Sequence, residues 1–249
     1  MAGLFDNVRY RLGTRRQMRR TGRELRKAAR RARTLDDVVA AAFATAGKPV
    51  EIAPLQVRTE LTRLAEIVSA ERPRRVLEIG TGSGGTLYAL TWAAPPGAQL
   101  LSIDLTVYPT ERRLLYRTFA GGRRVDAWAA DSHLEETRDR VAAHFGHEPL
   151  DLVFIDGDHT YESVRRDYEL YAPLVRAAGI VAFHDIVEGP YEAVGEVPRF
   201  WREVRSELAS TVELVESWGQ GGFGIGVGHR HTDRQVITPT NSSRPRISR

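Results

Sequence analysis

Two periods of hydrophobicity alternate along this chain. Short aliphatic runs at 75–79, 100–103, 125–130 and 179–183, with another that ends before Asp156, have the length and branched content of buried strands. Between them the apolar residues shift to helical spacing. Val57, Leu61, Leu64 and Val68 form one stripe, and Tyr161, Val164, Tyr168 and Tyr171 another. Further helices are predicted over 35–46, 86–92, 110–118, 132–145 and 197–208, and two closing strands over 211–217 and 221–228. From residue 75 onward strand and helix alternate. The expected fold is therefore α/β, a seven-stranded, mostly parallel sheet with helices on both faces and a C-terminal antiparallel hairpin.

Length fits one enzyme-sized domain with extensions, since 249 residues can bury a substantial core. The expected division is a basic helical extension over 1–48, the main domain over 49–228, and a disordered tail over 229–249, where Ser242, Ser243 and two prolines lie among arginines. Charge separates the first part from the rest. Residues 1–33 hold twelve Arg or Lys against Asp6 and Glu24, a local +10 in a chain of net +4, so the remainder is −6. These cations leave only a thin stripe of Met18, Leu25, Ala29 and Ala32, which reads as a solvated, partly frayed arm; contact with acidic lipid, nucleic acid or an acidic partner is the alternative. Arginine outnumbers lysine 34 to 2 throughout, which suggests coding bias more than selection for phosphate. There is no cysteine, which excludes disulfides and thiolate metal sites and makes a cytoplasmic location the expectation. No apolar stretch has the length of a membrane span, and the run at 38–46 follows the acids Asp36 and Asp37, unlike a signal peptide.

The chemistry begins at Val76-Leu77-Glu78-Ile79-Gly80-Thr81-Gly82-Ser83-Gly84-Gly85, a strand, a glycine turn and a helix start in order. Glycines permit positive φ and close backbone approach, and the helix behind the turn offers unpaired N–H groups. The same letters satisfy the dinucleotide pattern Gly80-x-Gly82-x-x-Gly85, so an NAD(P)-dependent oxidoreductase is a rival reading. Glu78 argues against it, because a carboxylate beside the turn suits a cationic ligand and repels a pyrophosphate.

This acid and turn resemble motif I of the class I S-adenosylmethionine-dependent methyltransferases, whose cofactor carries an ammonium and a sulfonium. The resemblance implies a Rossmann-like sheet and a cofactor site built from Glu78, Gly80, Thr81, Gly82 and Ser83. It also implies Asp104 at the ribose and Asp131 near the adenine. From the residues alone, Asp104 would serve NAD equally, and Asp131 with Ser132 is also a good helix N-cap.

Two later strand ends carry the rest: Phe154-Ile155-Asp156-Gly157-Asp158-His159-Thr160-Tyr161 and Ala182-Phe183-His184-Asp185. Neighbouring strands should bring Asp156 and Asp185 to one rim, and two close carboxylates repel unless a cation or a proton lies between them. A hard divalent ion with oxygen ligands answers that. The pair of clusters resembles the metal-dependent O-methyltransferases acting on sugars and other natural products, relatives of the cephalosporin hydroxylase-like and macrolide-sugar enzymes. That resemblance covers about residues 50–228 and implies Mg²⁺, with Mn²⁺ as a substitute, at Asp156, His184 and Asp185. It implies His159 as the base. His184 departs from the family, which often has Glu or Asp there, and it has three readings: metal ligand, acceptor hydrogen bond, or packed strand end. His159 could otherwise be a polar residue at a helix start capped by Thr160 or Asp158.

The leading expectation is a small-molecule O-methyltransferase with a hydroxylated acceptor, and with self-association open. The oxidoreductase gives no account of Asp156, His159 and Asp185. A nucleic-acid methyltransferase would use the basic arm, but the Asn/Asp-Pro-Pro-aromatic motif of many base-amino methylating enzymes is replaced here by Ile155-Asp156-Gly157-Asp158. A noncatalytic cofactor-binding or scaffold protein is a further class, against which the two intact strand-end clusters argue. The segment 52–56 is expected to cover the cofactor or to mediate a dimer contact, and His133, His144, His147, His229 and His231 are read as surface residues.

Overall fold

The computed structural model describes residues 2–106 and 108–232, with side chains described from residue 14 onward except at 107–111. The elements are α1 (Ala2–Arg31), α2 (Leu35–Phe43), α3 (Arg58–Glu71), β1 (Arg75–Ile79), α4 (Gly85–Ala93), β2 (Gln99–Asp104), α5 (Tyr108–Phe119) and β3 (Arg124–Ala129). They continue with α6 (Glu135–His144), β4 (Leu150–Ile155), α7 (Tyr161–Tyr171), β5 (Val175–His184), α8 (Tyr191–Val194), α9 (Val197–Val204), β6 (Ser210–Leu214) and β7 (Ile225–His229). The seven strands form one sheet in the order β3-β2-β1-β4-β5-β7-β6. The first five are parallel, and β7 is antiparallel to both β5 and β6. This is the expected Rossmann-like architecture, and β5 is longer than predicted because it starts at Val175, four residues before the apolar run.

Strand periodicity sorts the core into two layers. Val76, Leu100, Leu152 and Ile180 face the helices α1 to α5, while their neighbours Leu77, Leu101, Val153 and Val181 face α6, α7 and α9. Because β1 lies at the centre with β2 on one side and β4 on the other, the chain reverses direction of build at β1, and the carboxyl ends of these strands open a crevice there.

The basic extension differs from a frayed arm. Met18, Leu25 and Ala29 are buried in the core, and Tyr88 Oη donates to the Leu25 carbonyl at 3.0 Å. The thin stripe suffices because Gly22 lets α1 press against α5: a Cβ there would lie 2.7 Å from Thr118. Arg15, Arg16, Arg19, Arg23, Lys27 and Arg30 remain exposed on the far side. No helix among the described residues is long and apolar enough to cross a membrane. The tail expected to be disordered lies outside the described residues from 233 onward.

Candidate active site

The strand ends surround a cleft of about 1130 Å³, large for a single small ligand and sufficient for two reactants. Its floor is the glycine turn. Gly80 has φ +89°, and a Cβ there would fall 1.8 Å from the Asp156 carbonyl oxygen, so only glycine lets β1 and β4 deliver their ends side by side. Asp104 braces the turn, since its Oδ2 accepts from Thr81 N at 3.0 Å and Gly82 N at 3.1 Å while Oδ1 accepts from Thr106. Ser83 Oγ donates to the Ala53 carbonyl at 2.9 Å, and the Arg112 guanidinium donates to the carbonyls of Glu51 and Ser83. The segment 51–56 thus lies along the turn and lines the cleft.

Glu78 is placed differently from its expected position facing the ligand. It is fully buried beneath the turn and does not line the cleft. Its Oε2 accepts from Ser102 Oγ, which in turn meets Thr81 Oγ1 at 2.6 Å, so Glu78 supports the turn from below. Burial pushes its carboxyl well above the usual range despite the Ser102 hydroxyl, and the negative charges of Asp156 and Asp104 add to the rise. Its Oε1 has no hydrogen-bond partner among the described residues.

Asp131 lines the cleft two residues beyond β3 and accepts from His133 N at 2.9 Å. It is not the N-cap of α6, which begins at Glu135 behind Leu134, so the capping alternative is not realised. His133, read as a surface residue, also lines the cleft, and its Nε2 lies 3.7 Å from Asp167, a fully buried carboxylate. Both Asp167 oxygens lack a well-formed hydrogen bond among the described residues, and burial lifts its pKa to about 6 against the lowering influence of Ser132 and His133.

Asp156, His184 and Asp185 come together at the ends of β4 and β5, each offering a donor atom within 4.8 Å of the others. His184 sits between the acids, its Nδ1 3.2 Å from Asp156 Oδ1 and 3.1 Å from Asp185 Oδ2. Burial alone would lower its pKa, but the charge and hydrogen bonding of Asp156 and the hydrogen bond of Asp185 prevail and raise it to about 10. Its Nε2 is buried without a partner among the described residues. Asp185 holds φ +61°, an unusual conformation for a non-glycine residue that turns its carboxylate back towards His184. His159 approaches from the loop before α7, with Nε2 3.3 Å from Asp185 Oδ2 and Nδ1 2.6 Å from the Ala193 carbonyl. A carbonyl only accepts, so Nδ1 carries the proton and Nε2 of the neutral ring keeps a lone pair. Thr160 caps α7 by accepting from Ser163 N, and Asp158 accepts from Ser163 Oγ at 2.6 Å, which fixes the loop on which His159 stands.

Gln56 was not among the expected site residues. Its Nε2 donates to Asp156 Oδ2 at 2.6 Å and its Oε1 accepts from Thr86 at 2.8 Å. No local motif marks it; only its place in the segment expected to cover the cofactor drew attention there.

The profile of the methyltransferase domain family matches residues 77–186, from the glycine turn through Asp185. Among curated proteins, catechol O-methyltransferase B of Danio rerio is 34% identical over 101 residues, 37% of this chain and 35% of that protein. An uncharacterized protein of Sinorhizobium fredii, y4gI, is 28% identical over 144 residues, 48% of this chain. The matched stretches span only 14% and 35% of the lengths of these two relatives. Among solved structures, the O-methyltransferase TomG of Streptomyces achromogenes, bound to S-adenosylmethionine, superposes with a TM-score of 0.57 at 18% identity, covering 81% of this chain and 91% of TomG. MycE of the mycinamycin biosynthetic pathway, in complex with Mg, S-adenosylhomocysteine and mycinamycin VI, gives a TM-score of 0.52 at 19% identity over 84% of this chain and 58% of MycE. The glycine turn under the switch-point crevice and the acids at successive strand ends thus lie within the stretch, residues 77–186, that matches the methyltransferase domain family, and the fold is that of the S-adenosylmethionine-bound TomG structure.

Proposed function

We propose that the protein transfers a methyl group from S-adenosylmethionine to a hydroxyl of a small molecule, a sugar or another natural product, with His159 taking the proton and a divalent ion held by Asp156, His184 and Asp185. One observation carries this reading: the base and the cation site share a carboxylate oxygen, Asp185 Oδ2, 3.3 Å from His159 Nε2 and 3.1 Å from His184 Nδ1. O-methylation is also the activity named for the Danio relative and TomG, and MycE is named a methyltransferase.

The glycine turn would receive the cofactor through the backbone of Gly80, Thr81, Gly82 and Ser83, with Asp104 accepting from the ribose and Asp131 from the adenine. A bound S-adenosylmethionine would supply the methyl group and become the thioether, and the proton of the acceptor hydroxyl would pass to His159 Nε2. Its Nδ1–H bond to the Ala193 carbonyl holds the tautomer that can accept it, and the imidazolium formed faces Asp185.

The trio fits a metal in closeness and in charge, with two carboxylates and an imidazole. Its nitrogen donor suits Mn²⁺, Fe²⁺ or Zn²⁺ better than Mg²⁺, although Mg is the ion in the MycE complex. Such an ion, when bound, lowers the pKa of a coordinated hydroxyl and orients it. A metal-free form of the same reaction has the His184 contacts in its favour, because a protonated imidazole already offsets both carboxylates.

Calorimetry with S-adenosylmethionine, first with EDTA and then with Mg²⁺ or Mn²⁺, tests the proposal, with NADH as the competing ligand. Binding of S-adenosylmethionine and not NADH supports it. Absence of S-adenosylmethionine binding under every metal condition overturns it. Turnover that survives EDTA selects the metal-free form.

A further inference from the structure

We infer that Phe223 is the wall against which the acceptor's ring is held, and that Glu60, buried behind the loop that carries it, is the positioning residue that keeps it there. The inference rests on the methyltransferase reading and adds the acceptor's class to it: a molecule with a flat apolar face beside its reacting oxygen.

Phe223 lies in Gly219-Gln220-Gly221-Gly222-Phe223-Gly224, where it is the lone large side chain and has φ +62°. A glycine would adopt that backbone without strain, as its neighbours at 221, 222 and 224 do. A ring kept in an unfavourable conformation marks a surrounding structure that fixes it and a use for the side chain. The ring lines the cleft, is 38% exposed, and its centroid is 6.2 Å from the His184 imidazole. Leu55, which also lines the cleft, is 83% exposed, giving the mouth a second apolar element. Exposed apolar groups gathered at a cleft mark a recognition surface more often than scattered ones do.

A buried carboxylate holds the loop from behind. Glu60 on α3 is 1% exposed, and its Oε1 accepts from Glu216 N at 3.0 Å and Gln220 Nε2 at 2.8 Å while Oε2 accepts from Gly224 N at 2.9 Å. Three donors from one loop meet one buried acid, so the loop's path is fixed from behind. In front, Val187 N donates to the Phe223 carbonyl at 2.9 Å, tying the same loop to the segment that follows His184 and Asp185. Glu60 touches no reacting atom; it acts through the loop.

The test uses the full chain loaded with S-adenosylhomocysteine and Mn²⁺, and two small probes with a similar pair of oxygens. Tropolone carries a flat ring; acetohydroxamate does not. Wild type is expected to bind tropolone at least tenfold more tightly than the Phe223→Gly variant does. Acetohydroxamate, S-adenosylhomocysteine and Mn²⁺ affinities should stay within about twofold. Glu60→Gln should weaken tropolone likewise and speed amide exchange at Glu216 and Gly224, with S-adenosylhomocysteine binding kept. Should Glu60→Gln fail to fold, the Phe223→Gly comparison decides alone. Tropolone binding that is absent in cofactor-loaded wild type, or unchanged in Phe223→Gly, overturns the inference and leaves the methyltransferase reading intact. Failure of wild type to bind S-adenosylhomocysteine overturns that reading itself, and this inference with it.

Discussion

Gln56 and Asp156, one hundred residues apart, are joined by a 2.6 Å hydrogen bond in which the amide of the segment before α3 donates to the carboxylate at the end of β4. The other end of the same amide accepts from Thr86 in α4. Gln56→Leu keeps the bulk and removes both bonds. The expected cost is about 1–3 kcal/mol for the groups left unpaired, seen as a lower thermal midpoint. Unchanged stability would show that the amide contributes nothing to the site.

Gly80→Ala should be far more damaging than an ordinary surface change. The new Cβ would meet the Asp156 carbonyl oxygen at 1.8 Å in a residue whose φ is +89°. A loss of about 4 kcal/mol or more is expected, at the severe end for single substitutions. Denaturant unfolding measures it; a loss below 1 kcal/mol would mean that the strand ends can separate.

His159→Ala should lower kcat by about 10²–10⁴, the usual contribution of a positioned base, with cofactor affinity nearly unchanged. His159→Gln should not restore the rate, because an amide cannot accept the proton at neutral pH. A wild-type rate in either variant excludes His159 as the base.

Metal binding should appear as thermal stabilisation. At a hundred times its dissociation constant an ion adds about 2.7 kcal/mol, and Mn²⁺ should therefore raise the midpoint of wild type. Asp156→Ala, which removes one of the three clustered donors, should abolish the rise. Equal shifts in both proteins would place the ion elsewhere.

Asp167 gives a pH dependence with a defined sign. Burial raises its folded pKa to about 6 from 3.8, so the folded state binds more protons than the unfolded chain between those values. Its penalty is absent below about pH 4, grows as pH rises towards 6, and then levels near 3 kcal/mol, an order-of-magnitude value. Asp167→Asn should therefore stabilise the protein at pH 8, and its advantage should shrink towards pH 4.5. A constant difference across that range would show that Asp167 does not titrate there.

Much of the fold was legible because it rests on local physics. Alternation in strands and the 3.6-residue stripe in helices are set by backbone geometry, and glycine at Gly80, Gly82 and Gly84 suits the positive φ of the turn. Acids at the ends of β2, β4 and β5 reach one rim because parallel strands point their carboxyl ends the same way. Asp104, Asp156, His159, His184 and Asp185 could thus be placed together from the sequence, and all of them line the cleft.

What the sequence could not decide is which polar groups face that cleft and which lie beneath it. Glu78 lies on the strand that leads into the turn, yet packing closes over it and makes it a support. The stripe on α1 looked too thin to dock, and the missing element was the close approach permitted by Gly22 against a helix more than ninety residues away. Gln56, Glu60 and His133 act on the site through contacts with distant segments, for which periodicity and motif spacing carry no signal. The sequence determined the order of elements and the acids at their ends, since each follows from neighbours along the chain. Only the tertiary structure decided burial, tautomer and partner, because these depend on which distant groups exclude water and which donors remain within reach.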